Sequence, residues 1–186
     1  MPDPAMSEPV LELRAPLDGK ALGSRKDGSA IWLASLPQGA VLHVLAPPAG
    51  ATAMAAELTA LGAARSLTVR AAAPGQWYLL GDSEFSAADV SALRTGLAGK
   101  ADILDQGHAR ARILVGGSAM RRMLAKGVGL DLHTDLFAVG RSAATMIGHL
   151  SVLLTRTELD EYEILITRSF AEALWDDLET MAREYL

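Results

Sequence analysis

The chain has 186 residues, a formal net charge of −5 and no cysteine. Its 17 lysines and arginines are scattered apart from two adjacent pairs, so the sequence lacks the basic stripe typical of nucleic-acid-binding proteins. The absence of cysteine excludes disulfides, thiolate metal ligands and thiol nucleophiles, and favours a reducing cytoplasm.

The first 27 residues contain four prolines and little periodicity, which predicts an irregular N-terminal arm ordered only by packing on something else. This arm lacks a basic segment followed by an apolar one, so we expect no secretory signal. Residues 29–56 carry no charged side chain, but several prolines and glycines interrupt them. These breaks exclude a membrane span and favour a buried core or an interface. A mean hydropathy of +0.21 also suggests a partner chain.

Short strands are predicted at residues 31–33 and Val41–Leu45, followed by a helix at residues 52–61 that Gly62 closes. Pro74 and Gly75 predict a type II turn between two further strands. Ser86, with Asp89 three residues later, predicts a capped helix that ends near residues 96–99.

The second half predicts a strand at residues 109–115, a short helix closed by Gly127, and three strand-like runs between residues 142 and 168. The acidic residues 158–161 predict a solvated hairpin loop. Ser169 and Glu172 predict a capping box for a final helix. Its apolar stripe would comprise Phe170, Leu174, Leu178 and Met181, with Trp175 at an interface edge.

Both halves therefore have the order strand, helix, strand, strand, helix. This order predicts an α+β fold of two packed α/β-plait-like units. We place the arm at residues 1–27, the first unit at residues 28–100 and the second, with the C-terminal helix, at residues 101–186. Together they would form one compact subunit.

The segment DLHTD brings Asp131, His133 and Asp135 close together in the sequence. Carboxylates and an imidazole at this density suggest a metal or acid–base site. However, no HExxH motif or second histidine pair accompanies them, and the other histidines lie far apart in sequence. We therefore favour a turn in which Asp131 bonds the following backbone, while Leu130, Leu132, Leu136 and Phe137 fill the core.

The segment GGSAMRR places Gly116 and Gly117 between a strand and a helix, with two arginines one turn later. Such a junction can bind an anion through backbone N–H groups. It matches neither GxGxxG nor GxxxxGK[ST], and a turn capped by Ser118 explains it equally well. The chain also lacks the GxSxG motif of serine hydrolases.

Three segments together resemble the gamma subunit family of heterotetrameric sarcosine oxidase. They are GQWYLLG at residues 75–81, LAKGVGLDLHTDLFAVG at residues 124–140 and ITRSFAEALWDDL at residues 166–178. Their order and spacing match that family over essentially the whole chain after the arm. The family is similar to the folate-binding fold of the glycine-cleavage T-protein.

The resemblance implies a non-catalytic subunit with a structural or assembly role. The family's complex demethylates sarcosine oxidatively to glycine, forming hydrogen peroxide and methylene-tetrahydrofolate. Its alpha and beta subunits carry FAD, FMN and NAD, and its delta subunit binds zinc. On this chain the resemblance implies no catalytic, cofactor-binding or metal residue. The matched positions are expected to act in packing and capping: Trp77, Asp131, Phe137, Gly140, Arg168 and Ser169.

Two alternatives from other classes stay open at this point. The T-protein relationship suggests a free-standing folate-binding one-carbon protein, although no position here matches the T-protein's catalytic aspartate. A metal hydrolase centred on residues 131–135 is the other alternative.

Overall fold

The computed structural model describes residues 14–186. The helices are α1 (Ala51–Ala63), α2 (Ala87–Gly96), α3 (Met120–Leu124) and α4 (Ala171–Ala182). The strands are β1 (Ala21–Leu22), β2 (Trp32–Ser35), β3 (Val41–Leu45), β4 (Thr68–Ala73), β5 (Gln76–Leu80), β6 (Asp102–Asp105), β7 (Arg110–Gly116), β8 (Ser142–Ile147), β9 (Leu150–Glu158) and β10 (Glu161–Thr167). Short 3₁₀ turns at Arg168–Phe170 and Arg183–Tyr185 flank α4.

The strands form two antiparallel sheets. One has the order β1-β2-β7-β10-β9-β8, and the other has the order β4-β5-β3-β6. Helices α3 and α4 pack on the six-stranded sheet, and α1 and α2 pack on the four-stranded sheet. The free faces of the two sheets pack on each other through Val41, Tyr78, Leu80, Leu153 and Leu165. These α/β/β/α layers confirm the predicted α+β fold of two helix-covered sheets.

Alternation along β10 shows how the layers are specified. Tyr162, Ile164 and Ile166 belong to the core under α3 and α4, whereas Leu165 belongs to the cluster between the sheets. Glu163, also buried, lies on the same face as Leu165 because successive side chains of a strand point to opposite faces. β10 is therefore buried on both faces, which explains why its sequence is largely apolar.

Strand pairing crosses the boundary predicted at residue 100. β2 pairs with β7 in the larger sheet, and β6 pairs with β3 in the smaller one. The division into units at residues 28–100 and 101–186 stays a prediction about folding units. Of the predicted arm, residues 1–13 lie outside the described residues. The remainder packs on its own chain, since Leu17 is buried in the core and β1 pairs with β2.

Several local predictions are confirmed. β3 has the predicted bounds, Gly75 has the positive φ that a type II turn requires, and Ser86 and Asp89 form a capping box. The uncharged residues 29–56 contain β2, β3 and the start of α1. Within residues 14–186, none of the helices has the length and apolar character needed to cross a bilayer.

The predicted start of the final helix is wrong. A 3₁₀ turn at Arg168–Phe170 leads into α4, so Ser169 lies inside this turn and makes no side-chain cap. Trp175 is only 1% exposed and lies in the core rather than at an interface edge, whereas Phe170 is 51% exposed and leaves the predicted stripe. A 3₁₀ turn advances the chain by a different angle per residue than an α-helix, which rotates Phe170 away from the buried face.

Candidate functional site

The DLHTD segment forms a surface turn. Asp131 Oδ1 accepts the backbone N–H of His133 at 2.8 Å, and His133 Nδ1 lies 3.4 Å from Asp135 Oδ2. The side chains of His133 and Asp135 are largely exposed. Among the described residues, no three His, Asp, Glu or Cys side chains are arranged to hold a metal ion. The hydrogen bond from Asp131 to the backbone two residues on is that of an Asx turn, as the turn interpretation predicts.

The leucines and the phenylalanine of this segment divide between core and surface. Leu132 and Phe137 are buried, and the Phe137 ring centroid lies 5.8 Å from that of Tyr162. Leu136 is 55% exposed, so its predicted place in the core is wrong. The turn at residues 133–137, in which the N–H of Phe137 donates to the carbonyl of His133 at 2.8 Å, directs Phe137 inward and Leu136 outward.

The two glycines of GGSAMRR allow close packing. A Cβ on Gly116 would lie 2.2 Å from Cζ2 of Trp32, and a Cβ on Gly117 would lie 2.4 Å from the carbonyl oxygen of Ala30. The N–H of Gly117 already donates to the carbonyl of Asp160. Helix α3 has only five residues, and Ala119 rather than Ser118 is its N-cap. The structure therefore explains the glycine pair by packing and offers no support for the anion-binding interpretation.

The other matched positions lie in separate parts of the fold. Trp77 is buried under α1 and α2. Gly140 has a φ of +85°, which favours glycine, and its N–H donates to the carbonyl of Arg156 at 2.7 Å. Arg168 donates to the carbonyl of Arg14, and Ser169 is exposed. The structure does not bring these residues together in one site, and their role as family signatures stays a prediction.

A charged cluster between the sheets was not predicted. Glu163 Oε1 accepts from Nε of Arg112 at 2.6 Å, and its Oε2 accepts from Nε and Nη2 of Arg70 at 3.2 and 3.0 Å. Nη1 of Arg112 also donates to Asp82 Oδ1 at 2.9 Å and to the carbonyl of Gly81 at 3.1 Å. The cluster joins β4, β7, β10 and the loop after β5, so it links the two sheets.

A weak sequence signal for this cluster exists. Arg110 and Arg112 alternate in β7, and Glu161 and Glu163 alternate in β10, within otherwise apolar strands. Charged side chains at alternate positions of a buried strand must find partners on the same face. The partner strand and its register are set by tertiary structure, and they are not visible in either segment.

A second buried arginine organises the loops at one end of the larger sheet. Arg156 is 2% exposed and donates to the carbonyls of Phe137 at 2.9 Å and Leu159 at 2.6 Å. Its backbone also bonds Gly140 and Arg141. These bonds hold the loop at residues 136–141 beside the β9–β10 turn, where Leu136, Val139 and Leu159 are exposed.

One histidine lies between the sheets. His43 stacks on Tyr78 with ring centroids 4.5 Å apart, and its Nε2 is buried with no hydrogen-bond partner. Burial lowers the pKa of His43 below its ordinary value, a hydrogen bond from the protonated ring to the Gln76 side chain opposes this shift, and the charge of Arg110 lowers the pKa further. The neutral form is therefore the one that the fold accommodates.

The sequence matches the family described as "Sarcosine oxidase, gamma subunit family" over residues 45–184. No curated protein matches the chain. A structure described as "Heterotetrameric Sarcosine Oxidase from Corynebacterium sp. U-96 in complex with pyrrole 2-carboxylate" contains a similar chain. The two are 23% identical with a TM-score of 0.74, and the match covers 93% of this chain and 96% of that one.

Two further solved structures share the fold. The glycine cleavage system aminomethyltransferase T from Bartonella henselae is 16% identical, with a TM-score of 0.56 over 78% of this chain and 44% of that one. The ligand-free regulatory subunit of aspartate kinase from Thermus thermophilus is 15% identical, with a TM-score of 0.50 over 80% of this chain and 96% of that one. At these identities the three structures show the fold alone, including its likeness to the T-protein. The family match, by contrast, extends over most of the chain, which therefore belongs to the sarcosine oxidase gamma subunit family.

Proposed function

We propose that this chain is a non-catalytic subunit of a heterotetrameric sarcosine oxidase, in which it assembles with the alpha, beta and delta subunits. The observation that carries the proposal is the family match over residues 45–184. The agreement in fold and chain length with a chain of the Corynebacterium complex supports it. In this proposal the role of the chain is structural.

The complex would convert sarcosine to glycine, form hydrogen peroxide and transfer the one-carbon unit to tetrahydrofolate. FAD, FMN, NAD and zinc would be held by the other subunits. We place the complex in the cytoplasm, in keeping with the absence of cysteine from this chain.

The distribution of polar and apolar groups supports a structural role. The buried carboxylate of Glu163 is engaged by two arginines, and Arg156 is engaged by backbone carbonyls. These groups stabilise the fold. Several large apolar side chains are exposed at the same time, including Leu136, Val139 and Leu159. Apolar residues that are exposed on a single chain are commonly buried at subunit interfaces.

Affinity purification of the tagged full chain from its source cells tests the proposal. We expect larger chains to co-purify, the eluate to show a flavin absorption spectrum, and sarcosine to elicit peroxide from it. The chain produced alone should be colourless and inactive toward sarcosine. A colourless, partner-free protein from the source cells would contradict the proposal.

The alternative is a free-standing folate-binding one-carbon protein, and the shared fold with aminomethyltransferase T is the observation that favours it. Calorimetric titration of the isolated chain with tetrahydrofolate separates the two proposals. We expect no saturable binding. Binding of tetrahydrofolate with a micromolar Kd would favour the folate-binding one-carbon protein.

A further inference from the structure

A narrow cleft opens between the two sheets, at the end of the β7–β10 pair. Its inner part has an apolar wall and a basic wall. The apolar wall includes Pro16, Leu17, Leu36, Pro37 and Val41, and the basic wall comprises Arg110, Arg112 and Arg168. A wider outer part continues from the same residues, Ala15, Leu36, Pro37 and Gln38. The cleft therefore has an inner end and a mouth.

The three arginines differ in their partners. Arg112 is paired with Glu163 and Asp82. Within residues 14–186, neither Arg110 nor Arg168 forms an ion pair with a carboxylate. Among these described residues, two of the cleft's three guanidinium groups thus lack a carboxylate partner.

Neutral groups hold Arg110 in place. Its Nε, Nη1 and Nη2 donate to Gln106 Oε1 at 2.8 Å, to Thr167 Oγ1 at 3.1 Å and to the hydroxyl of Tyr78 at 2.9 Å. A guanidinium has five N–H donors, so one N–H stays available on each Nη atom. These neutral groups fix the half-buried cation in position. Its charge also lowers the pKa of His43, for which burial is the larger cause.

Arg168 is placed beside Arg110 by the backbone. Arg110 pairs in register with Thr167, and the N–H of Arg168 donates to the carbonyl of Ala109 at 2.9 Å. The two arginines therefore leave adjacent strands at the same end of the sheet. Both side chains line the inner part of the cleft. Guanidinium groups with free N–H donors are suited to bind a carboxylate, which accepts two parallel hydrogen bonds from such a fork.

We propose that this cleft binds a small organic monocarboxylate, with its carboxylate on Arg110 and Arg168 and its carbon chain against the apolar wall. The inner part of the cleft is narrow, with room for little more than a carboxylate group, and it opens into the wider outer part. The ligand is therefore small, with its carboxylate in the inner part and its carbon chain extending along Leu36 and Pro37 toward the mouth.

Calorimetry and side-chain NMR of the arginine Nε–H groups in the full chain test the proposal with propionate as the probe. Propionamide has the same shape without the charge, and inorganic phosphate has charge without a carbon chain. We expect saturable binding of one propionate that shifts the Arg110 resonance, with no binding of propionamide and weaker binding of phosphate. The proposal would be overturned if propionate did not bind, if propionamide bound equally well, or if phosphate bound more tightly.

Variants locate the site. Arg110→Gln and Arg168→Gln should each weaken propionate binding roughly tenfold or more, because each removes a charge-assisted hydrogen bond. Arg65→Gln is the matched control, since Arg65 is exposed and does not line the cleft. If Arg110→Gln does not fold, Arg168→Gln decides the question. Unchanged binding in Arg168→Gln would contradict the proposal.

Discussion

The charged cluster between the sheets makes a specific prediction about Glu163→Gln. This change keeps the shape of the side chain but removes the negative charge that faces Arg70 and Arg112. The Glu163 and Arg112 side chains are only 3% and 9% exposed, so little solvent reaches them to replace the lost charge. Arg112 keeps its bonds to Asp82 and Gly81, whereas Arg70 has no other ion pair among residues 14–186.

Removing one partner of a buried ion pair costs about 3–5 kcal/mol, because the remaining charge is left uncompensated. We expect a value near the lower end, about 3 kcal/mol, since Arg112 retains Asp82. For a domain of this size, 1 kcal/mol corresponds to a shift in Tm of about 2–4 °C. The expected loss is therefore roughly 6–12 °C.

Urea unfolding and thermal melts of the isolated chain measure this effect. Glu158→Gln is the matched control, because Glu158 pairs with Arg25 at an exposed site. Such a pair contributes at most about 1 kcal/mol. Equal losses of stability in the two variants would refute the assignment of Glu163 as the link between the sheets. A triple variant, Arg70→Leu, Arg112→Met and Glu163→Leu, should regain much of the lost stability, because an apolar cluster needs no compensating charge.

Three further predictions concern packing and pH. Gly116→Ala should destabilise the fold by about 1–3 kcal/mol through the clash with the Trp32 ring. Gly96→Ala, with nothing within 4 Å of the added Cβ, should instead be neutral or stabilising in urea melts. Phe137→Ala should lower the free energy of unfolding by about 3–5 kcal/mol. The lowered pKa keeps His43 neutral in the folded chain. As the pH falls below 6.5, His43 is therefore protonated in the unfolded chain before it is protonated in the folded chain. The free energy of unfolding should therefore decrease below that pH, and His43→Phe should weaken this dependence. Parallel plots of the free energy of unfolding against pH for the two proteins would contradict this prediction.

Local signals predicted much of the fold. The apolar run of β3, the Pro74–Gly75 turn and the Ser86 capping box depend on a few neighbouring residues. Each of these features is specified by backbone conformation or by bonds within one turn. The Asx turn at Asp131 belongs to the same class, and the sequence therefore identified it correctly.

Features that depend on distant residues were not predicted. The pairing of β2 with β7 joins segments about 80 residues apart, and the cluster around Glu163 joins three strands and a loop. The exposure of Leu136 depends on how its loop packs, which hydropathy does not specify. Ser169 matched the capping pattern, but a 3₁₀ turn replaced the cap. The two arginines proposed to bind a carboxylate come to the same end of the sheet only through the pairing of β7 with β10.

We propose this chain as a non-catalytic subunit of a four-chain sarcosine oxidase. Native mass spectrometry tests this proposal most directly. The sample is the fraction from the source cells that produces peroxide with sarcosine. We expect a single assembly that contains this chain in equal stoichiometry with three other chains, with the flavins on the larger ones. A peroxide-producing assembly that lacks this chain would contradict the claim.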